Sequence, residues 1–386
     1  MPEQELRVGL IGYNFMGKAH SQAWRNAPLY FDVAAKPMLQ VVCGRSKDRV
    51  RKFANRWGWQ DIETDWRRVV QRNDVDVIDV TTPTALHHDI VVAAAEAGKH
   101  IFCEKPFSLN STEAKTMLSA AENAGVTHYL NHNYRRCPAV RLAKRLIDEG
   151  KIGQLFHWRG AYLQSWIVDP EFPLTWQLQA ESAGAGPQFD LNSHSVDLAR
   201  YLVGEISQVT AMTSQFVVER PFPSASAAAF QGGTEGSDTG PVTVEDAATM
   251  IVRFENGALG TFEASRFALG RKNYNTFEIY GSQGAIGFNL ERMNELQYFN
   301  NSDSECEQGF RTILATEPNH DYMSAWWPPG HTIGYEHEFT HAVVDFLEAV
   351  VHERLIEPNF RDGLACMRVL EAGLNAAKTG EHQQIL

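Results

Sequence analysis

Up to residue 130 the chain alternates short apolar runs with stretches of helical period. The apolar runs lie at 6–11, 39–43, 75–80, just before 104, and at 126–130. Helical patterns fill the gaps at 18–26, 49–57, 66–72, 89–97 and 111–123, with Gly98 and Gly125 closing the last two. Brief uninterrupted apolar runs suit strands buried on both faces. Strands that alternate with helices predict right-handed βαβ units and a doubly wound parallel sheet.

The pattern changes after residue 133. Longer strand-like segments at 155–164, 209–218, 247–254, 258–266, 276–280 and 285–289 predict a mostly antiparallel sheet. Asn256-Gly257 between two of them is a hairpin signal, because both residues tolerate positive φ. Residues 221–241 are rich in Ser, Ala, Gly and Pro and read as a mobile excursion between strands. Near the end, Phe339, Val343, Phe346 and Val350 share one helical face, and Leu364, Met367, Leu370 and Leu374 share another. That spacing is core packing without chemistry. The expected division is a doubly wound α/β domain at 1–132 and a second α/β domain at 133–386.

Composition narrows the class. A chain of 386 residues has room for about two domains. A formal charge of −12 argues against nucleic acid or an anionic membrane as the main partner. Cys43, Cys103, Cys137, Cys306 and Cys366 are scattered without ligand spacing, which points to reduced thiols and a cytoplasmic setting. The opening MPEQELRVGLIG enters a strand at once, without the basic and apolar regions of a signal peptide.

Three constellations carry candidate chemistry. The first is Gly12-Tyr13-Asn14-Phe15-Met16-Gly17, set between a strand and a helix. It matches a dinucleotide-binding loop at its outer glycines, while Asn14 replaces the middle one. Such a loop presents backbone N–H groups and a helix N-terminus to a pyrophosphate. The next strand ends Cys43-Gly44-Arg45-Ser46, without the acid that binds an NAD ribose diol. Arg45 and Ser46, with Arg49 one turn on, suit a 2′-phosphate, so NADP is expected ahead of NAD. The competing reading has Arg45 stacking on adenine or facing solvent. The second is Lys105 in Glu104-Lys105-Pro106, delivered to the carboxyl end of a strand, where ligands of open α/β sheets bind; a solvated turn lysine is the alternative. The third is Asp190 and His194, spaced i and i+4 on an expected helix after a glycine-rich turn, with Asp197 near the same side. A carboxylate one turn from an imidazole can orient it and tune its basicity; an incidental surface pair is the alternative, and a metal site lacks a third ligand at convincing spacing.

In their order along the chain, the glycine loop, Thr82-Pro83, Glu104-Lys105-Pro106, Asn133-Tyr134-Arg135-Arg136 and Asp190…His194 resemble the glucose-fructose oxidoreductase / inositol dehydrogenase (Gfo/Idh/MocA) family. Residues 17–20, 162–164 and the C-terminal half look most similar to its anhydrosugar- and inositol-oxidising members. The resemblance implies an N-terminal Rossmann domain and a C-terminal α/β domain on a large, mostly antiparallel open sheet. It implies NAD(P)-dependent oxidation of a secondary alcohol on a sugar, anhydrosugar or cyclitol.

By the same resemblance Lys105, Asp190 and His194 form the catalytic set. His194 takes the hydroxyl proton, Lys105 holds the oxygen, and Asp190 orients a substrate hydroxyl or the histidine. The cofactor contacts implied are Gly12, Asn14, Phe15, Met16, Arg45, Ser46, Thr82, Pro83, His87, Glu104, Asn133 and Trp176. Thr84 and Gln177 depart from the residues usual in the family at their positions. Tyr134 and Gln164 are the candidate substrate ligands beside the catalytic set, with ordinary polar residues near a sheet edge as the alternative. The aromatic run Trp326-Trp327-Pro328-Pro329 with Tyr335 suits either sugar stacking or a subunit contact. Homodimers or homotetramers formed through the open sheet are implied. Two other readings stay open: a glycosidase that uses NAD for transient oxidation, and a non-catalytic nucleotide-sensing regulator.

Overall fold

A computed structural model describes residues 4–223 and 238–385. The chain divides into two compact units, the first of residues 1–133 and 334–365, the second of 134–333 and 366–386. The return of residues 334–365 to the first unit has no counterpart in the sequence reading.

The first unit is built on a parallel six-stranded sheet in the order β3-β2-β1-β4-β5-β6. Its strands are β1 (Glu5–Ile11), β2 (Lys36–Cys43), β3 (Asp61–Glu63), β4 (Val77–Val80), β5 (His100–Cys103) and β6 (His128–Leu130). The helices between them are α1 (Phe15–Tyr30), α2 (Lys47–Trp57), α3 (Trp66–Val70), α4 (His87–Glu96) and α5 (Ser111–Ala124). Every residue of β4 is buried, as a central strand covered on both faces must be. Strand order reverses between β1 and β4, which opens a crevice at their carboxyl ends.

In the second unit α6 (Pro138–Asp148) precedes β7 (Leu155–Leu163), followed by the short helices α7 (Ala180–Ala183) and α8 (Pro187–Asp190) and by α9 (Asn192–Leu202). Strand β8 (Ile206–Ser214) comes next, then a two-stranded ribbon of β9 (Glu219–Pro221) and β10 (Thr239–Pro241). Residues 224–237, the middle of the predicted excursion, lie outside the described residues. Strands β11 (Ala247–Phe254), β12 (Leu259–Ser265), β13 (Tyr274–Gly281), β14 (Gly284–Asn289), β15 (Glu295–Asn300) and β16 (Arg311–Leu314) complete a nine-stranded sheet with β7, β8 and β17 (Gln383–Gln384). All its pairings are antiparallel except β12 with β7. Residues alternate cleanly: Trp158, Gly160 and Tyr162 of β7 point inward, while Arg159, Ala161 and Leu163 lie on the other face.

The β11–β12 hairpin forms as expected, with a different turn. Gly257 alone takes a left-handed φ of 90°, and Asn256 contributes its side chain, whose Oδ1 accepts from Ala258 N–H at 3.0 Å. Of the closing helices, α10 (Tyr335–Val351) returns to the first unit. There Phe339, Val343, Phe346 and Val350 join Trp24 and Ala27 of α1 in the core. The last helix, α11 (Phe360–Thr379), follows.

Candidate active site

The crevice of the first unit is shaped by close backbone approach. Gly12 ends β1 at φ 111°, and a Cβ there would lie 2.5 Å from Thr81 Oγ1 and 2.7 Å from Thr81 O. A Cβ on Gly17 would lie 2.6 Å from Gly12 O. Both outer glycines are therefore required by packing. Asn14 is not in a left-handed conformation: its φ is −80°, and it precedes α1 as an exposed N-cap residue. The missing middle glycine thus creates no backbone strain. Thr82 Oγ1 is buried without a hydrogen-bond partner among the described residues. A glycine turn pressed onto β4, a helix start behind it and this orphaned hydroxyl fit a bound dinucleotide. Phe15 stands exposed beside it and stacks on Tyr335 at 6.3 Å, which gives that ring a partner within the unit.

At the end of β2 no carboxylate is present. Gly44 has Tyr13 against it: a Cβ at 44 would fall 2.0 Å from the tyrosine ring, so an acid there would collide with it. The Arg49 guanidinium lies 5.7 Å from the same ring, and Arg45 is exposed.

Lys105 follows β5 in a braced turn. Its N–H donates to Glu104 Oε2 at 3.2 Å, and the Lys105–Pro106 peptide is cis. His87 spans this turn and the one after β4, with Nδ1 3.0 Å from Pro106 O and Nε2 3.0 Å from Thr82 O. Burial lowers its pKa, which favours the neutral ring. Three of the expected cofactor contacts make hydrogen bonds within the unit. The His87 ring lies between the Pro106 and Thr82 carbonyls, to one of which its single N–H donates. Glu104, 3% exposed, turns into the interior towards His20 and Asn131. Asn133 donates to Glu338 at 2.8 Å.

The second unit carries the other catalytic candidates. Asp190 and His194 do not share one regular helix. A turn at Leu191 separates α8 from α9, and His194 N–H donates to Leu191 O at 3.1 Å. Asp190 forms an ion pair at 2.6 Å with Arg266, which is 1% exposed. Asp197 pairs with Arg135 through two bonds of 2.8 and 2.6 Å, buried on both sides. That role is structural.

A chain of contacts then connects Asp190 to His194. Arg266 lies over the Trp166 ring at 5.2 Å, and Trp166 Nε1 donates to Gln164 Oε1 at 2.7 Å. Gln164 Nε2 and Tyr162 Oη both donate to Asn273 Oδ1, at 3.0 and 2.7 Å. Because the Tyr162 proton is committed there, Tyr134 is the donor in the 2.9 Å bond between their hydroxyls. The Tyr134 ring sits 4.3 Å from the His194 ring. Tyr134, Gln164, Asp190 and His194 are thereby brought together, with Tyr162, Trp166, Arg266 and Asn273 as members the sequence reading did not assign. Trp176 lies exposed in the turn Trp176–Leu178.

Residues 6–132 match the oxidoreductase family domain with an NAD-binding Rossmann fold, and residues 140–287 match the Gfo/Idh/MocA C-terminal domain. Levoglucosan dehydrogenase of Pseudarthrobacter phenanthrenivorans is 43% identical over 97% of this chain and 96% of its own. A crystal structure of an oxidoreductase domain protein from Kribbella flavida superposes with a TM-score of 0.94 at 46% identity, covering 99% of this chain and 100% of that one. A levoglucosan dehydrogenase solved with NADH and levoglucosan gives 0.94 at 41% identity, again over 99% and 100%. The chain belongs to the Gfo/Idh/MocA family of NAD-binding oxidoreductases.

Proposed function

We propose that this protein is an NAD(P)-dependent dehydrogenase that oxidises a secondary hydroxyl of a sugar, anhydrosugar or cyclitol. The observation that carries this reading is Lys105 at a strand end, braced by Glu104 and His87, in a chain that also keeps the linked group from Asp190 to His194. The likeness to levoglucosan dehydrogenase over nearly the whole length supports the same substrate class.

The nicotinamide, when bound, supplies the hydride acceptor. Gly12, Gly17, the start of α1 and Thr82 hold the dinucleotide. The Lys105 ammonium binds the reacting oxygen and stabilises the negative charge that grows there. An imidazole nitrogen of His194 takes the hydroxyl proton. Asp190, anchored by Arg266, accepts from a second substrate hydroxyl. Tyr134 keeps its ring against His194, and Gln164, clamped by Trp166 and Asn273, lines the sugar subsite.

Arg45 and Ser46, with no acid at Gly44, favour the 2′-phosphate of NADP. Levoglucosan dehydrogenase has been solved with NADH, which supports NAD instead. Michaelis constants for both cofactors, taken with a panel of levoglucosan, inositols and pyranoses, test these readings together. Reduction of nicotinamide by at least one sugar is expected. A clear preference for NAD would remove Arg45 from a phosphate-binding role. We also assign the outer face of the nine-stranded sheet, where Met212 and Ile251 are exposed, to contact with further copies of the chain. Sedimentation of a single protomer would contradict that. The five thiols form no disulfide among the described residues, consistent with a reducing cytoplasm. No described helix is long and apolar enough to cross a membrane.

A further inference from the structure

His20 takes no part in the roles above, yet both of its ring nitrogens are engaged by acidic side chains. It lies on α1 and is 1% exposed. Nδ1 stands 2.8 and 3.1 Å from the two oxygens of Asp79, and Nε2 stands 2.9 Å from Glu104 Oε1. Asp79 is fully buried in β4 and also accepts from Trp24 Nε1 at 2.7 Å. Glu104 Oε1 accepts from Asn131 Nδ2 at 2.6 Å, and its Oε2 from Lys105 N–H.

Both ring nitrogens therefore face carboxylate oxygens, and Asn131 Nδ2, which donates to Glu104 Oε1, lies 3.3 Å from Nε2. A neutral imidazole has one N–H and one lone pair, and would set that lone pair against an anion. The imidazolium satisfies both sides. Burial disfavours the charged ring, but Asp79 and then Glu104 outweigh it and raise its pKa to about 10. Burial likewise opposes the charge on Glu104, while the His20 bond and charge, with Lys105 beyond, hold its pKa below the usual range. The other groups packed around the pair are the rings of Phe102 from β5 and Phe339 from α10, and the Cys103 thiol. Burial and both carboxylates push that thiol well above its ordinary pKa and keep it neutral.

We propose that His20 is a positioning residue for the reaction: as an imidazolium it fixes the Glu104 carboxylate, and through the Glu104–Lys105 N–H bond it sets the backbone from which Lys105 reaches the substrate oxygen. The proposal rests on the role given to Lys105 above. His20 touches neither substrate nor cofactor in this account. Its loss acts through the placement of one ammonium group.

The test uses the whole 386-residue chain. In His20→Gln the cation between the carboxylates disappears, and Glu104 becomes protonated more easily. Displacing Lys105 by about an ångström lowers kcat about 100-fold, while KM for NAD(P) and the dissociation constant of NADH stay as in the unmodified protein. The pH profile of kcat gains a limb that rises with pH as Glu104 regains its charge. Glu104→Gln, nearly identical in shape, gives the same fall in kcat without that limb, and it serves if His20→Gln does not fold. Nitrogen-15 resonances of His20 in the unmodified protein report a doubly protonated ring from neutral pH up to about pH 10.

An unchanged kcat and pH profile in the variants overturns the proposal. So does parallel loss of NADH binding and kcat with a lowered melting temperature, or a singly protonated His20 at neutral pH. Failure of the unmodified protein to oxidise any sugar would defeat the dehydrogenase reading instead, and the histidine resonances would still decide the state of His20.

Discussion

At the scale of single residues, Lys105 owes its place to its neighbours more than to its strand. The apolar run of β5 followed by Glu104-Lys105-Pro106 was readable as a lysine delivered to a ligand-binding edge. The bracing was not. His87 and Glu104 were readable as polar residues near the crevice, but residue type does not say which way a side chain turns. Both turn inward: His87 lies between the carbonyls of Thr82 and Pro106, and Glu104 lies against the imidazole of His20. A signal for His20 did exist: Asp79 is the one acid inside the buried run of β4, and such an acid needs a donor. The direct prediction at this scale concerns Lys105→Ala. Removing one donor to a developing oxyanion should lower kcat about 10²–10³-fold, with NADH binding by fluorescence titration unchanged; equal turnover would remove Lys105 from the chemistry.

At the scale of elements, helix and strand periods located the elements well and described their ends poorly. The segment holding Asp190 and His194 reads as one helix, since Leu191, Leu198 and Leu202 fall on one stripe. It breaks at Leu191, just where Asp190 turns to Arg266. Nothing within the segment announces Arg266, a partner 76 positions away. A second long-range link joins β6 to the start of α11. The His128 ring stacks on Phe360 at 4.7 Å, and its Nδ1 accepts Phe360 N–H at 3.2 Å, which requires an unprotonated nitrogen. Burial pushes its pKa down to about 4. With a folded value below the unfolded one, protons favour the unfolded chain. The stability it supports is present above about pH 6.5 and lost as pH falls towards 4. Urea midpoints measured across that window should fall less steeply for His128→Asn, which keeps an acceptor and cannot be protonated. An identical slope would show that His128 does not titrate on unfolding.

At the scale of the whole molecule, the two-part architecture was legible because the apolar patterns of parallel and antiparallel sheets differ so plainly. The return of α10 to the first unit was not, since an amphipathic helix does not name the surface that buries it. Phe339, Val343 and Phe346 were correctly read as core; which core they enter depends on Trp24 and Ala27 of α1. The family follows from the full-length likeness, and the substrate class rests on the joint action assigned to Lys105, Asp190 and His194. That claim is tested most directly by following the hydrogen on the reacting carbon. Levoglucosan and inositols carrying deuterium at their secondary carbinol positions are mixed with NAD or NADP and this protein, and the nicotinamide is examined by mass spectrometry. The account predicts reduced nicotinamide that carries one deuterium for each ketone formed. A product that appears with no net reduced, deuterated cofactor would contradict it and favour transient oxidation on the way to hydrolysis.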